Sequence, residues 1–540
     1  MILEYKLIYP AHARVYEKIF LEQLRTSSLQ GNLSREGLEL RLFVEAEEPQ
    51  ALEAFATDFA MRLPHSLFLY GTEARLVEEM PTIPYPLVEE KKISLPPCPA
   101  CLNSIKERYD ISTACDWCGY AVEASSGAYQ EQFEHTAQKI EEGAIVELNT
   151  FYGKYFVGCP SALCNAVSFD ILAYDLATVE KYATVESYEL NALASLEKPA
   201  IKLKKRLQFT RDFEAVEADL IRFRLPDDAI LYLLMEALHQ RGVDIIFMTK
   251  QRVHAQEQLL LTPIVEELTP LEVVASPNHT LILSGDRGVP PTPLLMPKLT
   301  PQIDAFHAII EQWNLSQSAQ TIAGVNLDRS GVNIVVQGEK FGLIEYLAFG
   351  CHFESIEEIF QKISLSDEVG EKLVENYQTH FSQHYEAIKS MQLEQWDGLY
   401  GLWGVIAIIL GFTSTDNLQE GAKRIEENAL NFLGERGPRI DYKLVNLEGK
   451  PSFDPLMTIR TAMSFKLAGV DPLGLSYGVI ESFLEFVTNE LDGLKESMAI
   501  DAVVVRGSLL ANRRIFVKIS QEVSMNHRLY FSQSVERVAV

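Results

Sequence analysis

Cys98-Pro-Ala-Cys101 and Cys115-Asp-Trp-Cys118, with thirteen residues between them, carry the clearest chemistry in this chain. Each CxxC turn supplies two thiolates, and two such knuckles at this distance can close one tetrahedral site. A segment of about forty residues around them buries too little apolar surface to fold unaided. A structural zinc site contributes on the order of 10 kcal/mol to such a segment. Four protein ligands leave no open coordination position, which argues against catalysis at the metal. Four free thiols are the alternative. The spacing favours structural Zn2+ held by Cys98, Cys101, Cys115 and Cys118.

Other reactive residue types are weaker signals. His380-Phe-Ser-Gln-His384 has the spacing that puts two imidazoles on one helical face, but no glutamate follows the first histidine, and an exposed polar face accounts for it. Ser284-Gly-Asp-Arg-Gly288 is a turn-rich loop of the kind that can approach a phosphate. No Walker loop or dinucleotide fingerprint is present. Cys159 and Cys164 read as ordinary buried thiols or as the remnant of a second metal knuckle.

The global balance narrows the class of protein. Forty-eight basic residues against 75 acidic ones give a net charge of −27, a surface that repels phosphate backbones and anionic lipid, so nucleic acid and membrane are excluded as partners. Seven cysteines in 540 residues are not a disulfide framework. Met1-Ile-Leu-Glu-Tyr-Lys6 lacks the basic and apolar regions of a signal peptide, so the expected location is cytoplasmic. The apolar run Gly401 to Phe412 is too short to span a bilayer and reads as a buried helix.

The elements that must hold these residues follow from periodicity. A chain of this length suggests about three or four domains. Residues 1–86 read as a small α+β unit, with an alternating strand at Leu38–Val44 and a helix at Pro49–Leu63. The proline-bearing stretch Pro81–Pro97 leads into the cysteine module, 87–128. Residues 129–290 form an α/β unit with strands near Ala144–Leu148, Ile171–Tyr174, Ala200–Leu203 and Asp244–Met248. A proline-rich break at Pro290–Pro301 introduces the last unit, 291–540. That unit opens with a helix at Gln302–Trp313 and strands at Gln320–Leu327 and Val332–Val336. Helices over 355–389, 400–411, 417–434 and 473–496 follow, then a strand at Ala502–Val505.

The cysteine segment, Cys98-Pro-x-Cys101-Leu102, then Arg108-Tyr109, then Cys115-x-x-Cys118-Gly119, resembles the first zinc module of the HypF family. These are the carbamoyltransferases that mature nickel-iron hydrogenases. Gly143-Ala-Ile-Val146, Asp170–Glu180, Glu197-Lys-Pro-Ala-Ile-Lys-Leu203 and Leu225-Pro226 followed by Ile245–Thr249 are similar to the family's YrdC-like domain. Leu402-Trp-Gly-Val-Ile-Ala-Ile-Ile-Leu-Gly-Phe412 is similar to its LFDAVAALLG helix, and Val503-Val-Val-Arg-Gly-Ser-Leu-Leu-Ala-Asn-Arg513 to its SGGVFQNR strand and loop. The resemblance implies an α/β and α+β multidomain chain: an acylphosphatase-like domain, a small zinc module, a YrdC-like twisted-sheet domain and a C-terminal ASKHA-like, carbamoyltransferase-like domain.

The departures bear on function. The family has two zinc modules and this chain has one. Against the family's phosphate loop VQGVGFR stands Val15-Tyr-Glu-Lys-Ile-Phe-Leu-Glu22, with neither glycine cradle nor arginine; Arg14 and Arg25 nearby read as surface residues. Two glutamates there oppose the negative charge that acyl-phosphate hydrolysis develops. The family's KGxGG turn, the basic cluster ahead of its KP and its TSGN loop become Asn149–Gly153, Ala166-Val-Ser168 and Thr249-Lys-Gln251. Lys154, Lys202, Lys204, Lys205 and Arg206 remain as candidates for an anionic ligand, though a solvated strand edge accounts for the last four as well. In the C-terminal unit the LFD aspartate is Gly404, Arg506-Gly-Ser508 replaces Ser-Gly-Gly, and the chain ends at Val540 before a terminal DGG motif. Asn512 and Arg513 are kept, as nucleotide contacts or as a helix cap. The resemblance thus implies a divergent, HydE-like member of the family. It would be an accessory or scaffold protein of [NiFe]-hydrogenase maturation, binding another maturation protein or the hydrogenase large subunit. The alternative is an active carbamoyltransferase using ATP and carbamoyl phosphate.

Overall fold

The computed structural model describes residues 1–11, 13–81, 95–112, 114–115, 117–122, 127–163, 168–259, 261, 268–290, 301–350, 352–393, 398–447 and 450–534. The chain forms two compact units, one built on Met1–Val273 with Ile282–Thr292, the other on Pro293–Ser532 with Val274–Leu281.

The first unit opens with β1 (Ile2–Ile8), α1 (Val15–Ser27), β2 (Gln30–Glu36), β3 (Glu39–Glu45), α2 (Pro49–Arg62) and β4 (Gly71–Val77). The expected strand and helix of this region are β3 and α2. The strands make an antiparallel sheet in the order β2-β3-β1-β4. Alternation along β1 sends Tyr5 toward the helices, where its ring lies 5.0 Å from Phe59 of α2, while Glu4 and Lys6 face the other way and pair with charges on β4 and β3. Phe20 of α1 meets Phe55 and Phe59 at 5.9 and 5.7 Å, so three aromatic rings close this small core.

After the cysteine segment a mixed sheet begins. Its strands run, in order across the sheet, Glu257–Leu259, Val146–Thr150, Gly153–Gly158, Ile245–Thr249, Asp170–Ala173, Leu220–Arg224 and Ala200–Lys205, and it continues to the strand that starts at Glu272. The helix Ala229–His239 is apolar on nearly every face because it is buried almost throughout; Asp228 caps it by accepting from Leu231 N at 2.7 Å.

The second unit is built on a five-stranded sheet in the order Gly342–Ala348, Gly331–Gly338, Thr321–Asp328, Ala502–Arg506, Leu529–Tyr530. Thr321–Asp328 pairs antiparallel with Gly331–Gly338 and parallel with Ala502–Arg506. The expected helical run over 355–389 is three helices, Ile356–Ser366, Glu368–His380 and Ser382–Ile388. Asp367 breaks the first from the second: it is extended, and its carboxylate accepts from Gly370 N at 2.7 Å as an N-cap. A helix at Pro455–Leu467 and the edge strand Gly342–Ala348 are additions to the sequence reading. The apolar run at Gly401 lies in the buried helix Leu399–Ile409. Among the described residues no helix is long and apolar enough to cross a membrane.

Candidate functional site

The four cysteines converge. Cys98 is the N-cap of α3 (Pro99–Arg108) and Cys101 lies in its first turn, while Cys115 and Cys118 sit on a hairpin closed by Cys115 N to Tyr120 O at 2.8 Å and Gly119 N to Cys115 O at 2.9 Å. All four sulfurs lie within 4.8 Å of one another. Sγ of Cys101 is 3.5 Å from that of Cys98 and 3.6 Å from that of Cys118. Hydrogen bonding among the thiols splits their acidities: Cys101 draws Cys98 down to about 7 and Cys115 lower still, while Cys115 in turn pushes Cys101 up. Four thiols this close become four thiolates only around a cation, so the set can hold a metal. The module also joins its neighbours. Trp117 of the second knuckle lies under the Arg62 guanidinium of α2 at 4.2 Å, and Lys106 of α3 pairs with Glu236 of helix Ala229–His239 at 2.8 Å. A direct contact adds to the join: the buried Glu197 accepts from Ser66 Oγ at 2.6 Å and Leu67 N at 2.9 Å, and burial raises its pKa.

The stretch set against the family's phosphate loop is part of a helix. Val15–Glu22 forms the first two turns of α1, so the β1–α1 loop itself is Tyr9–Arg14. Arg35 of β2 fills that loop, its Nη2 donating to Tyr9 O at 2.6 Å and Ala11 O at 2.7 Å and its Nη1 to Glu17 at 3.3 Å. A phosphate cradle turns N–H groups inward; here two of the loop's carbonyls face a guanidinium. Arg25 pairs with Glu22, 2.9 Å from Nε to Oε2.

In the mixed sheet a cavity of about 250 Å3 is lined by Tyr155, Asp170, Arg222, Arg224, Thr249 and Lys250, with Ser168 and Ser284 at its rim. Arg224 of this lining and Arg287, both fully buried, share Asp227, with Arg287 Nη1 donating to it at 2.7 Å. Burial alone would raise Asp227, but the two guanidinium groups hold its pKa below the usual carboxylate range. Desolvation, then the charges of Arg224 and Arg287, lowers the pKa of Lys250. Arg222 lies 2.8 Å from Asp170 and donates to Ser168 Oγ at 2.8 Å. Lys202 and Lys204 lie along the strand Ala200–Lys205, Lys202 exposed and opposite Arg222, and neither lines the cavity. Lys205 donates to Val216 O at 2.8 Å, and Lys154 pairs with Glu147 at 2.6 Å.

In the second unit the hairpin turn Asp328–Gly331 and the loop after Ala502–Arg506 are tied together. Arg506 lies 3.4 Å from Asp328 and donates to Asn326 at 2.7 Å; Arg329 N donates to Ser508 Oγ at 2.9 Å and Ser508 N to Asp328 at 3.3 Å. The Arg329 guanidinium holds Glu426 by two bonds, 3.0 and 3.1 Å, and Tyr400 OH donates to the same carboxylate at 2.8 Å. Asn512 caps the helix Arg513–Asn526, accepting from Arg514 N at 3.0 Å, and its amide reaches Glu426 at 3.4 Å; Arg513 begins that helix. Gly404 has no room for a side chain, since a Cβ there would sit 2.3 Å from Leu418 O.

His380 and His384 do not share a helical face, because the helix ends at His380 and a new one begins at Ser382. His380 bonds to Asn376 O at 2.9 Å, and His384 reaches Ile408 O at 2.9 Å, capping helix Leu399–Ile409. Cys159 donates to Ile140 O at 3.0 Å, and Cys164 lies outside the described residues. No local signal in the sequence singles out Arg35, Arg224, Asp227, Arg329 or Glu426. Arg287 lies in the turn-rich loop Ser284–Gly288, and there the arginine turns into the core.

No protein-family model matches the chain. It is 27% identical over 539 residues to Protein HydE of Wolinella succinogenes, with 95% of each chain covered. In fold it is similar to full-length HypF in its phosphate- and nucleotide-bound form, with a TM-score of 0.56, 15% identity, and coverage of 99% of this chain and 96% of that one. It is similar to T. kodakarensis HypF with the same TM-score of 0.56, 13% identity and the same coverage, 99% and 96%. At such identities the likeness speaks for the fold, and the coverage extends it from end to end. Over nearly its whole length, the chain is thus similar in sequence to HydE and shares the fold of HypF.

Proposed function

We propose that this chain acts in [NiFe]-hydrogenase maturation as an accessory or scaffold protein, a HypF-derived fold that binds another maturation protein or the hydrogenase large subunit. The observation that carries this reading is the closure of the two loops of the second unit by the pairs Arg506–Asp328 and Arg329–Glu426. Oxyanion chemistry needs donors held ready for incoming charge. Here the cations at those loops already have carboxylate partners from their own chain. Zn2+ in the four-thiolate module would supply stability at the join of the first unit, not catalysis. A cytoplasmic location fits the maturation role.

The test is carbamoyl-phosphate-dependent cleavage of ATP to AMP and pyrophosphate by the purified, metal-analysed protein. It is run with and without the maturation partner that carries the acceptor cysteine. No turnover together with saturable binding to that partner or to the large subunit supports the scaffold reading. Turnover would replace it with the active carbamoyltransferase.

A further inference from the structure

We propose that β4, the exposed edge of the first sheet, pairs antiparallel with β4 of a second copy of this chain about a two-fold axis through Ala74. One side of β4 is paired with β1 over all seven residues with no shift of register, and among the described residues the other side has no strand beside it. Thr72, Glu73, Ala74, Arg75 and Leu76 are all exposed, Leu76 at 61%. Soluble proteins protect such an edge with a proline, a bulge or charged side chains. Gly71-Thr-Glu-Ala-Arg-Leu-Val77 has no proline or bulge, and its two exposed charges, Glu73 and Arg75, are of opposite sign and so do not repel every copy of the strand. The chain that follows leads away from this edge: Asn32 of β2, at the opposite side of the sheet, donates to Pro81 O at 2.7 Å.

The order of charges selects the partner. On the open face of the sheet Lys6 stands opposite Glu73 and Glu4 opposite Arg75, the latter pair in contact at 2.5 Å. A two-fold axis through Ala74 puts Glu73 opposite the partner's Arg75 and Arg75 opposite the partner's Glu73. The row across the junction then reads Lys6, Glu73, the partner's Arg75, the partner's Glu4, alternating in sign at every step. Directly opposed charges of opposite sign stabilise strand pairing and like charges oppose it. An axis through Glu73 would set glutamate on glutamate, and one through Arg75 arginine on arginine. A slip of a single residue would turn each side chain to the wrong face. The strand is complementary to itself in one register.

The experiment uses the full-length, metal-loaded protein and sedimentation velocity over a range of concentrations. Wild type is expected to pass reversibly from monomer to dimer as concentration rises. Glu73→Arg and Arg75→Glu each replace two attractive pairs by two repulsive ones, which should weaken association roughly tenfold or more. An equimolar mixture of the two variants recreates both opposite-charge pairs and should recover the dimer. Because Arg75→Glu sets a second carboxylate beside Glu4, hydrogen exchange on wild type gives a second reading, with protection of Thr72–Leu76 rising with concentration. Wild type that stays monomeric, variants that associate like wild type, or a mixture that does not recover would each overturn the proposal. So would β4 amides protected equally at every concentration, which would assign the edge to another segment.

Discussion

Gly404→Ala is the most direct probe of why glycine stands at 404, where the similar HypF helix carries an aspartate. Helices Leu399–Ile409 and Leu418–Asn431 cross backbone against backbone. A Cβ on Gly404 would lie 2.3 Å from Leu418 O and 2.7 Å from Leu418 Cα, and one on Gly421 would lie 2.9 Å from Gly404 O. Two terms of opposite sign compete. Alanine is favoured over glycine inside a helix by about 1 kcal/mol. Overpacking a filled site costs about 1–3 kcal/mol, and here the upper end applies because the atoms met are backbone and not the tip of a flexible side chain. The net expectation is a loss of about 2 kcal/mol. Gly404→Asp adds a buried carboxylate with no partner, a further ~3–5 kcal/mol. Gly493→Ala is the control. It lies inside helix Pro472–Met498 with nothing within 4 Å of its Cβ, so only the favourable term acts. Denaturant unfolding followed by tryptophan fluorescence reads both, since Trp403 is fully buried beside the crossing and bonds to Tyr442 OH at 3.2 Å. A Gly404→Ala protein as stable as wild type, or no less stable than Gly493→Ala, would refute the argument that packing demands glycine at this position.

Three further outcomes are expected. Cys115→Ser removes one of four ligands, so the purified protein should lose its metal and the join of the first unit should open to protease near Trp117 and Arg62; unchanged metal content and unchanged protease resistance would sink the structural-metal claim. Glu426→Gln strips the charge that holds Arg329, Tyr400 and Asn512, and should destabilise the second unit by about 1–3 kcal/mol, read as a fall in its denaturation midpoint. Glu197 is a carboxyl whose folded pKa is raised by burial, so its contribution is fully present below about 4.3, the ordinary value, and is lost as pH rises through the raised one. Glu197→Gln should flatten that part of the stability–pH curve, and a variant with the wild-type slope in melting temperature against pH would contradict the assignment.

Much of the framework was legible in the sequence because it rests on periodicity and spacing. β3, α2, the paired strands Thr321–Asp328 and Gly331–Gly338 and the helix Pro472–Met498 all follow from apolar patterning. The four cysteines follow from knuckle spacing. The side chains at the loops were not legible, because their roles depend on partners far away in the chain. Arg329 meets a glutamate 97 residues on, and Arg287 meets an aspartate 60 residues back. Nothing local marks either as an ion-pair partner. The lysines of strand Ala200–Lys205 drew attention by clustering, which a solvated strand produces without a ligand. His380 and His384 lack the shared helical face their spacing implies, since Phe381 interrupts the helix.

A lost motif and a replaced motif carry different weight. Absence of a glycine cradle says only that one route to an anion is gone. At the β1–α1 loop and at the hairpin Asp328–Gly331, the place is taken by an arginine bound to groups of its own chain. Each such arginine now supports the fold, and removing it would leave the buried Glu426 without its cation or the carbonyls of Tyr9 and Ala11 without their guanidinium donor, so reversal by single steps passes through destabilised proteins. The cavity of the mixed sheet differs. Arg224 Nε and Tyr155 Oη are buried there beside one another with no geometrically sound hydrogen bond among the described residues, and Lys250 stands at the same wall. Groups left unsatisfied in that way are uncommon in folded proteins. If ATP cleavage were found, the residues to replace first would therefore be Tyr155 and Lys250, and an effect confined to Arg329 and Arg506 would place the chemistry where the ion pairs argue against it.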